Sequence, residues 1–561
     1  MFSAAVRTCA LLAICTSGTA LLQPTVASAS ASLSPEVDAR LRASDPSDTI
    51  SVVVTMAEHV DLSRYTQGRA SASALIHDLK ETARLSQAPV LAWLATNDLR
   101  ERAQSFWISN CLVLEATPNQ IVALAALPGI QSIEMDSGGG ADGEIGSGAQ
   151  ETATDWNLNL IRIPEVWSAF GLDGTGVVVG SMDTGIDVNH TALVGKWRGG
   201  TNSWRDIINN LPNPYDDHGH GSHTIGTMVG GDGPGSFTED IGVAYGAKVI
   251  SAKVLDSNNS FSSSSIVIAG AQWMLDPDGN SQTNDFPQVI NNSWYFSSQT
   301  FTGFHSAVAA WRAAGIVPVG IVANFGPGTA TTRPPGNYNN IMGVAATTIS
   351  DQVASYSSRG PSPSGASFPL DLRKPDFSAP GDFVRSSLPG GGYASWQGTS
   401  MAAPHVAGCA ALMLQANPAL GYDDINLVIQ FAAVDVAAPG YDFDSGYGRL
   451  DAFAAVEFIA DPLAVDQSPA VPVAGLRVSP NPFQDEVRID FSPRRSPSTL
   501  EILDVQGRRV MTRRWVAGGF TGFVWDGRDP RGMDLPAGVF FVRLTEASGA
   551  GVETQRLIRV R

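Results

Sequence analysis

At 561 residues with 43% hydrophobic side chains, the chain exceeds one ordinary domain and carries apolar material for several cores. A formal net charge of −18 argues against a nucleic-acid partner, which needs concentrated Lys and Arg to neutralise phosphate. Of four cysteines, Cys9 and Cys15 fall in a leader-like segment, so Cys111 and Cys409 remain and no disulfide framework is expected.

In chain order, Arg7 precedes the apolar residues 10–22, and Val26-Ala27-Ser28-Ala29-Ser30 offers an A-x-A cleavage site, which predicts a signal peptide over 1–29. A membrane anchor fits less well, because the stretch falls short of the roughly 20 residues a spanning helix needs and contains Thr16, Ser17, Gly18 and Thr19. No later run is apolar enough, since residues 401–414 are interrupted by Pro404 and His405. The mature chain is therefore expected to be secreted or held at a bacterial cell surface, without a transmembrane helix.

Residues 30–136 read as a small α+β unit: the β-branched run TISVVVTM, a helix-compatible stretch, then strand, helix and strand from 110 to 136. SGGGADGEIGSGAQ opens a segment, 137–155, predicted to be a flexible, exposed linker open to proteolysis. From 156 to 461, buried-looking strands at 176–182, 248–255 and 287–294 alternate with helices, which predicts a doubly wound α/β domain with a mostly parallel sheet. A Pro- and Ala-rich linker, 462–475, follows. Residues 476–561 hold 14 Arg, no Lys and 10 acidic residues, a net +4 against −22 elsewhere, and their short alternating runs predict an antiparallel β-sandwich.

Within the α/β domain, Asp183 follows the apolar strand and opens Asp-Thr-Gly, where a sheet of this kind places ligands; alone, the tripeptide is as readily a turn. His218, His220 and His223 could be read as a metal site, but no H-E-x-x-H spacing is present, and Gly221 and Ser222 instead let a helix start tightly behind His220. Ser400 lies at a loop-to-helix transition in QGTSMAAPHVAG, either as an N-cap or with its hydroxyl projecting where unpaired amides favour negative charge. The three belong together chemically. A serine hydroxyl needs a histidine to take its proton, and the histidine needs a carboxylate to fix its tautomer and stabilise its charged form.

The order Asp, His, Ser, with Asp-Thr-Gly, His-Gly-Ser-His and Gly-Thr-Ser-Met-Ala-Ala-Pro-His, resembles the three signatures of the subtilase family. The likeness runs from about 156 to 455, and IPEVW, QWML, INNSW, SSRGPS and KPDFSAPG look most like its bacillopeptidase F branch. The resemblance implies a serine endopeptidase acting on polypeptides, with catalytic Asp183, His220 and Ser400. It also implies an oxyanion hole from Asn324 and the Ser400 backbone N–H, and pocket walls from Ser293, Trp294, Tyr295, Ile321, Val322 and Ala323. For Trp294 and Ile321, ordinary sheet core is an equal alternative. The chain departs from the family in Ala323 where Gly is usual, and in Ser222 for the common Thr.

No cofactor is needed for such chemistry. Structural calcium is common in the family, and Asp216, Asp217, Asp232 and Asp240 offer loop oxygens without defining a site. Residues 49–136 resemble the family's inhibitor-like propeptide, which makes the chain its own intramolecular partner and a zymogen. SPNPF, LDVQGRRV and AGVFFVRL resemble FlgD-type immunoglobulin-like and sorting domains, implying secretion or surface machinery as a partner, or substrate binding; a purely stabilising appendage is an equal alternative. Two other readings, a protease fold that has lost catalysis and serves as a binding protein and a metal-dependent hydrolase, lack their sequence marks: no triad member is missing, and no metal motif is present.

Overall fold

The computed structural model describes residues 31–65, 68–141, 156–233, 240–363, 373–438, 440–460, 476–491, 498–504, 508–515, 522–529, 533–546 and 552–560. The predicted leader, most of the 137–155 segment and the 462–475 linker lie outside the described residues.

Runs such as VINN and KVISAK show no polar-out alternation, so as strands they must be covered on both faces. They form part of a seven-stranded sheet in the order Phe377–Pro380, Met342–Thr347, Val317–Ile321, Val289–Asn292, Val178–Asp183, Lys248–Lys253, Trp204–Asp206. All the pairs are parallel. Within the sheet the chain starts at Val178–Asp183, goes to the outer edge at Trp204–Asp206, fills the gap with Lys248–Lys253, then crosses to Val289–Asn292 and builds outward on the other side. The topological switch point therefore lies beside the strand that ends in Asp183, where such sheets place their sites. Helices His220–Val229 and Thr399–Ala416 cover one face around Val179, Val249 and Val319, and Ser264–Leu275 and His305–Ala313 cover the other around Ile250, Ala252 and Ile290.

The N-terminal five-stranded sheet has the order Ser32–Leu33, Ile130–Met135, Ile50–Met56, Cys111–Ala116, Ala103–Phe106. Its central strand, ISVVVTM, is apolar on both sides for a reason. Val52 and Val54 pack with Ile121, Leu124 and Leu94 of the unit's own helices. Val53 faces the other way and, with Cys111 and Val113, joins the core built on Ser264–Leu275 and His305–Ala313. Polar contacts reinforce that docking: Asp136 accepts from the Ser264 N–H at 2.8 Å and its hydroxyl at 2.6 Å, and the Trp107 N–H donates to Gln272 Oε1 at 2.9 Å.

One expectation needs correction. Residues 137–141 are not exposed: Ser137, Gly140 and Ala141 are buried, and Gly139–Gly140 is the central strand of a three-stranded sheet. Glycines give no side-chain signal for a strand; here the strand is imposed by its neighbours' backbones.

At the C-terminal end, a three-stranded and a four-stranded antiparallel sheet share one core around Trp525, Leu500, Val542 and Leu557. Cys111, on a strand of the N-terminal sheet, and Cys409, on helix Thr399–Ala416, are buried free thiols, and no helix among the described residues is long and apolar enough to cross a membrane.

Candidate active site

The Asp183 carboxylate is fully buried and receives three donors. Oδ1 accepts from His220 Nδ1 at 2.7 Å and from the Thr184 N–H at 2.7 Å, and Oδ2 accepts from Thr224 Oγ1 at 3.3 Å. Because Nδ1 donates to the carboxylate, the neutral His220 ring presents a lone pair at Nε2, and that atom is buried without a hydrogen-bond partner.

His220 opens helix His220–Val229, whose N-cap position is Gly219, with no side chain to offer. Asp216 supplies the cap instead: Oδ1 accepts from the N–H groups of His218 (3.1 Å) and Gly219 (2.7 Å) and from Thr184 Oγ1 (2.8 Å), and Oδ2 accepts from the Ser222 N–H (2.8 Å). Helix start and Asp183 turn are thus tied through one carboxylate. They approach so closely that a Cβ on Gly221 would collide with the Gly185 backbone.

Ser400 is the second residue of helix Thr399–Ala416; the N-cap position belongs to Gly398, so Ser400 is not the cap. Pro404 lacks an N–H, which leaves the Ser400 carbonyl without its helical donor. Ser293 Oγ takes that place at 2.9 Å, while Ser400 Oγ donates back to the Ser293 carbonyl at 3.3 Å. Ser293, expected as a pocket wall, therefore also clasps Ser400. Its signal was legible: a proline four residues after the serine orphans one carbonyl.

Asn324 Oδ1 accepts from the Thr399 N–H at 2.9 Å and Thr399 Oγ1 at 2.8 Å, so its amide is oriented from the residue before Ser400. Ala323 has φ of 83°, the left-handed region that favours glycine, which explains physically why its substitution departs from the family. We expect Ala323→Gly to raise stability by roughly 0.5–1 kcal/mol, strain relief partly offset by unfolded-state entropy; a chemical melt in a Ser400→Ala background measures it.

The remaining pocket candidates separate. Ile321 ends a buried strand and Val322 and Ala323 follow it, also buried, and Tyr295 pairs with Gly140 through its backbone. Trp294 is 0% exposed and stacks edge-on with Phe261, Phe296 and Phe304, so its ring is core.

The three histidines do not converge on a metal. His223 Nε2 donates to the Ala394 carbonyl at 3.0 Å, its ring lies 4.7 Å from that of Trp396 in parallel, and burial pushes its pKa down to about 3. Asp216, Asp217 and Asp240 are committed to protein donors, Asp217 to Lys253 Nζ at 2.6 Å. Among the described residues, the carboxylates that gather are Asp276, Asp278 and Asp285, with ligand oxygens within 4.8 Å of one another, and Lys80 of the N-terminal unit pairs with Asp276.

His405 is also buried. Nδ1 donates to the Met401 carbonyl at 2.8 Å, Nε2 accepts from Asn157 Nδ2 at 2.8 Å, and burial lowers its pKa to about 4. An unfolded chain takes up this proton as pH falls through the ordinary value near 6.5, while the folded one does not until about 4. Stability present above pH 6.5 is therefore lost between 6.5 and 4, by about 1 kcal/mol at pH 5.5 from His405. In a Ser400→Ala background, His405→Gln should lose about that much less between pH 7.5 and 5.5 by urea melts.

A buried carboxylate–imidazole pair with its other ring nitrogen open, on a helix packed against the one that begins at Thr399-Ser400, is an arrangement that suits a serine-type peptidase. The subtilase family model matches residues 174–448. Bacillopeptidase F of Bacillus subtilis (strain 168) is 34% identical over 482 residues, 79% of this chain, which spans about a third (32%) of that protein. The alkaline protease of Alkalihalobacillus alcalophilus is 33% identical over 307 residues, 55% of this chain and 70% of that protein. Alkaline elastase YaB of Bacillus sp. (strain YaB) is 34% identical over 307 residues, again 55% and 70%. The chain belongs to the subtilase family.

Proposed function

We propose that this chain is a secreted serine endopeptidase in which Ser400 attacks the scissile carbonyl, His220 takes and returns the proton, and Asp183 holds the imidazole. The observation that carries it is the fully buried His220–Asp183 pair with Nε2 unpartnered. In the resting geometry the Ser400 hydroxyl donates to the Ser293 carbonyl, and the reaction requires Oγ to turn from there toward Nε2. The tetrahedral oxygen is then met by Asn324 Nδ2 and the Ser400 N–H, at a helix start whose first-turn amides favour negative charge. Polypeptide substrate pairs as an extended strand with the backbone around Tyr295. No cofactor takes part, and calcium has no role in the chemical steps.

The N-terminal unit, 30–136, is proposed as an intramolecular inhibitor. Its exit strand, Gly139–Gly140, lies antiparallel between Ser260–Phe261 and Tyr295–Phe296, the position a substrate strand would take. The module from 476 to 561 is an appendage that sorts, attaches or stabilises the protease; Arg556 lies over the Phe431 ring at 4.1 Å, so it touches the catalytic domain.

A fluorophosphonate should label wild type and not Ser400→Ala, with or without a zinc chelator. Equal labelling of both proteins sinks the assignment of Ser400. In the same purified proteins, trimming between 136 and 156 should occur only in wild type; equal trimming of Ser400→Ala would refute self-processing.

A further inference from the structure

The exit strand shows what kind of backbone the cleft accepts. Gly139 and Gly140 are bonded on both edges, to Ser260–Phe261 and to Tyr295–Phe296. The Ala141 N–H donates to the Asn259 carbonyl at 3.0 Å, Asn259 Nδ2 donates to the Ala141 carbonyl, and the Ser297 N–H donates to the Gly138 carbonyl at 2.9 Å. Four consecutive residues are thus gripped.

Three of them have no room for a side chain. A Cβ at Gly138 would lie 2.7 Å from the Phe261 carbonyl, and one at Gly140 would lie 2.8 Å from the Asn259 carbonyl. At Gly139 it would overlap the Tyr295 carbonyl and lie 2.6 Å from Cζ of Phe261. The Phe261 ring is no loose end that swings aside. It is 4% exposed and stands edge-on against Trp294 (5.6 Å between centroids) and Phe296 (5.5 Å), both 0% exposed. The space into which a side chain from this strand would project is filled from below by a fixed aromatic cluster.

We propose that the cleft selects glycine-rich polypeptide, with glycine required where Gly139 lies, and that Phe261 is the residue that enforces this against larger side chains. The proposal rests on the endopeptidase reading above and names its substrate class. An Ala or Leu at that position must push the substrate backbone away from Tyr295 and the Phe261 ring out of its packing, so hydrogen bonds along the strand are lost as the steric cost rises. Ala meets chiefly the Tyr295 carbonyl, whereas the outer carbons of Leu meet Phe261.

The test uses the full chain after self-processing, with active sites counted by fluorophosphonate. Quenched fluorescent peptides reproducing residues 134–148, with Gly, Ala or Leu at position 139, are compared by kcat/KM, with the cut bond read by mass spectrometry; denatured casein serves as a general substrate. The Gly peptide should be cut about tenfold or more faster than the Leu peptide, the scale of a one-group steric mismatch. Phe261→Ala should lower the Gly-to-Leu ratio severalfold and leave the Gly-to-Ala ratio above one. Equal cutting of the Gly and Leu peptides by wild type overturns the glycine requirement, and an unchanged Gly-to-Leu ratio in Phe261→Ala overturns the role of Phe261. Casein cut while the Gly peptide is not also overturns the proposal and leaves the endopeptidase reading standing. With neither substrate cut and no fluorophosphonate labelling, both fall.

Discussion

Asp183→Asn is expected to lower kcat/KM by on the order of 10^3- to 10^4-fold while leaving the protein folded. The hydrogen bonds decide how. Three donors point at this carboxylate: His220 Nδ1 and the Thr184 N–H at Oδ1, and the Thr224 hydroxyl at Oδ2. An asparagine offers one oxygen and one NH2; the Thr224 hydroxyl can turn to accept, and His220 Nδ1 could accept only by changing tautomer, but the Thr184 backbone N–H at Oδ1 can only donate. The amide oxygen is therefore held at the Oδ1 position, and the NH2 faces Thr224. In this orientation His220 keeps its Nδ1 proton and its tautomer. What is lost is the negative charge that stabilises the imidazolium as Ser400 gives up its proton, in a site with no exposure to water that could replace it. Thr224→Val is the matched control: it removes the long 3.3 Å bond to Oδ2 together with the 3.1 Å bond to the Gly221 carbonyl, leaves the carboxylate charge in place, and should cost less than about tenfold. Single-turnover acylation by an activated ester reads both. An Asp183→Asn enzyme within tenfold of wild type would remove Asp183 from the mechanism.

Much of the local placement of the candidate site residues was legible because its signals are local. The apolar run before Asp183, the glycines after His220 and the long motif around Ser400 each mark a strand end or a helix start, and the structure puts each there. What was not legible depends on partners distant in sequence. Asp216 was read as a loose loop oxygen, yet it caps the His220 helix and anchors Thr184. For Trp294, pocket wall and sheet core were equal alternatives, because the aromatic rings that claim it come from segments 33 residues before and 10 residues after it, at Phe261 and Phe304. The clearest miss is the stretch from 137 to 141. Its composition is that of a free linker, and only the two strands from the catalytic domain make it a strand. ISVVVTM gave a partial warning of that arrangement. A strand with apolar residues on both faces in so small a unit needs a second surface to cover it, and the helices Ser264–Leu275 and His305–Ala313 provide one.

Asn324→Ala should cost kcat about 10^2- to 10^3-fold, the range found for one such donor in subtilisin, with KM nearly unchanged. The split follows from when the interaction exists. The substrate carbonyl before attack is a weak acceptor, and the donor matters most once negative charge has formed on that oxygen. Position matters as much as identity here, because the Asn324 amide is aimed by Thr399, whose N–H and hydroxyl both hold Oδ1. Thr399→Val keeps the first of these bonds and removes the second, so it should cost kcat a small part of the Asn324→Ala loss, about threefold to tenfold, again without a KM effect. Asn324→Asp is the sharper comparison. Thr399 can donate to its carboxylate as it does to the amide, so the side chain stays in place, but the group turned toward the oxyanion becomes a charged acceptor instead of a donor. It should therefore be slower than Asn324→Ala above pH 6, where it is ionised. If the Asp variant matches or exceeds the Ala variant at that pH, Asn324 does not face the developing charge.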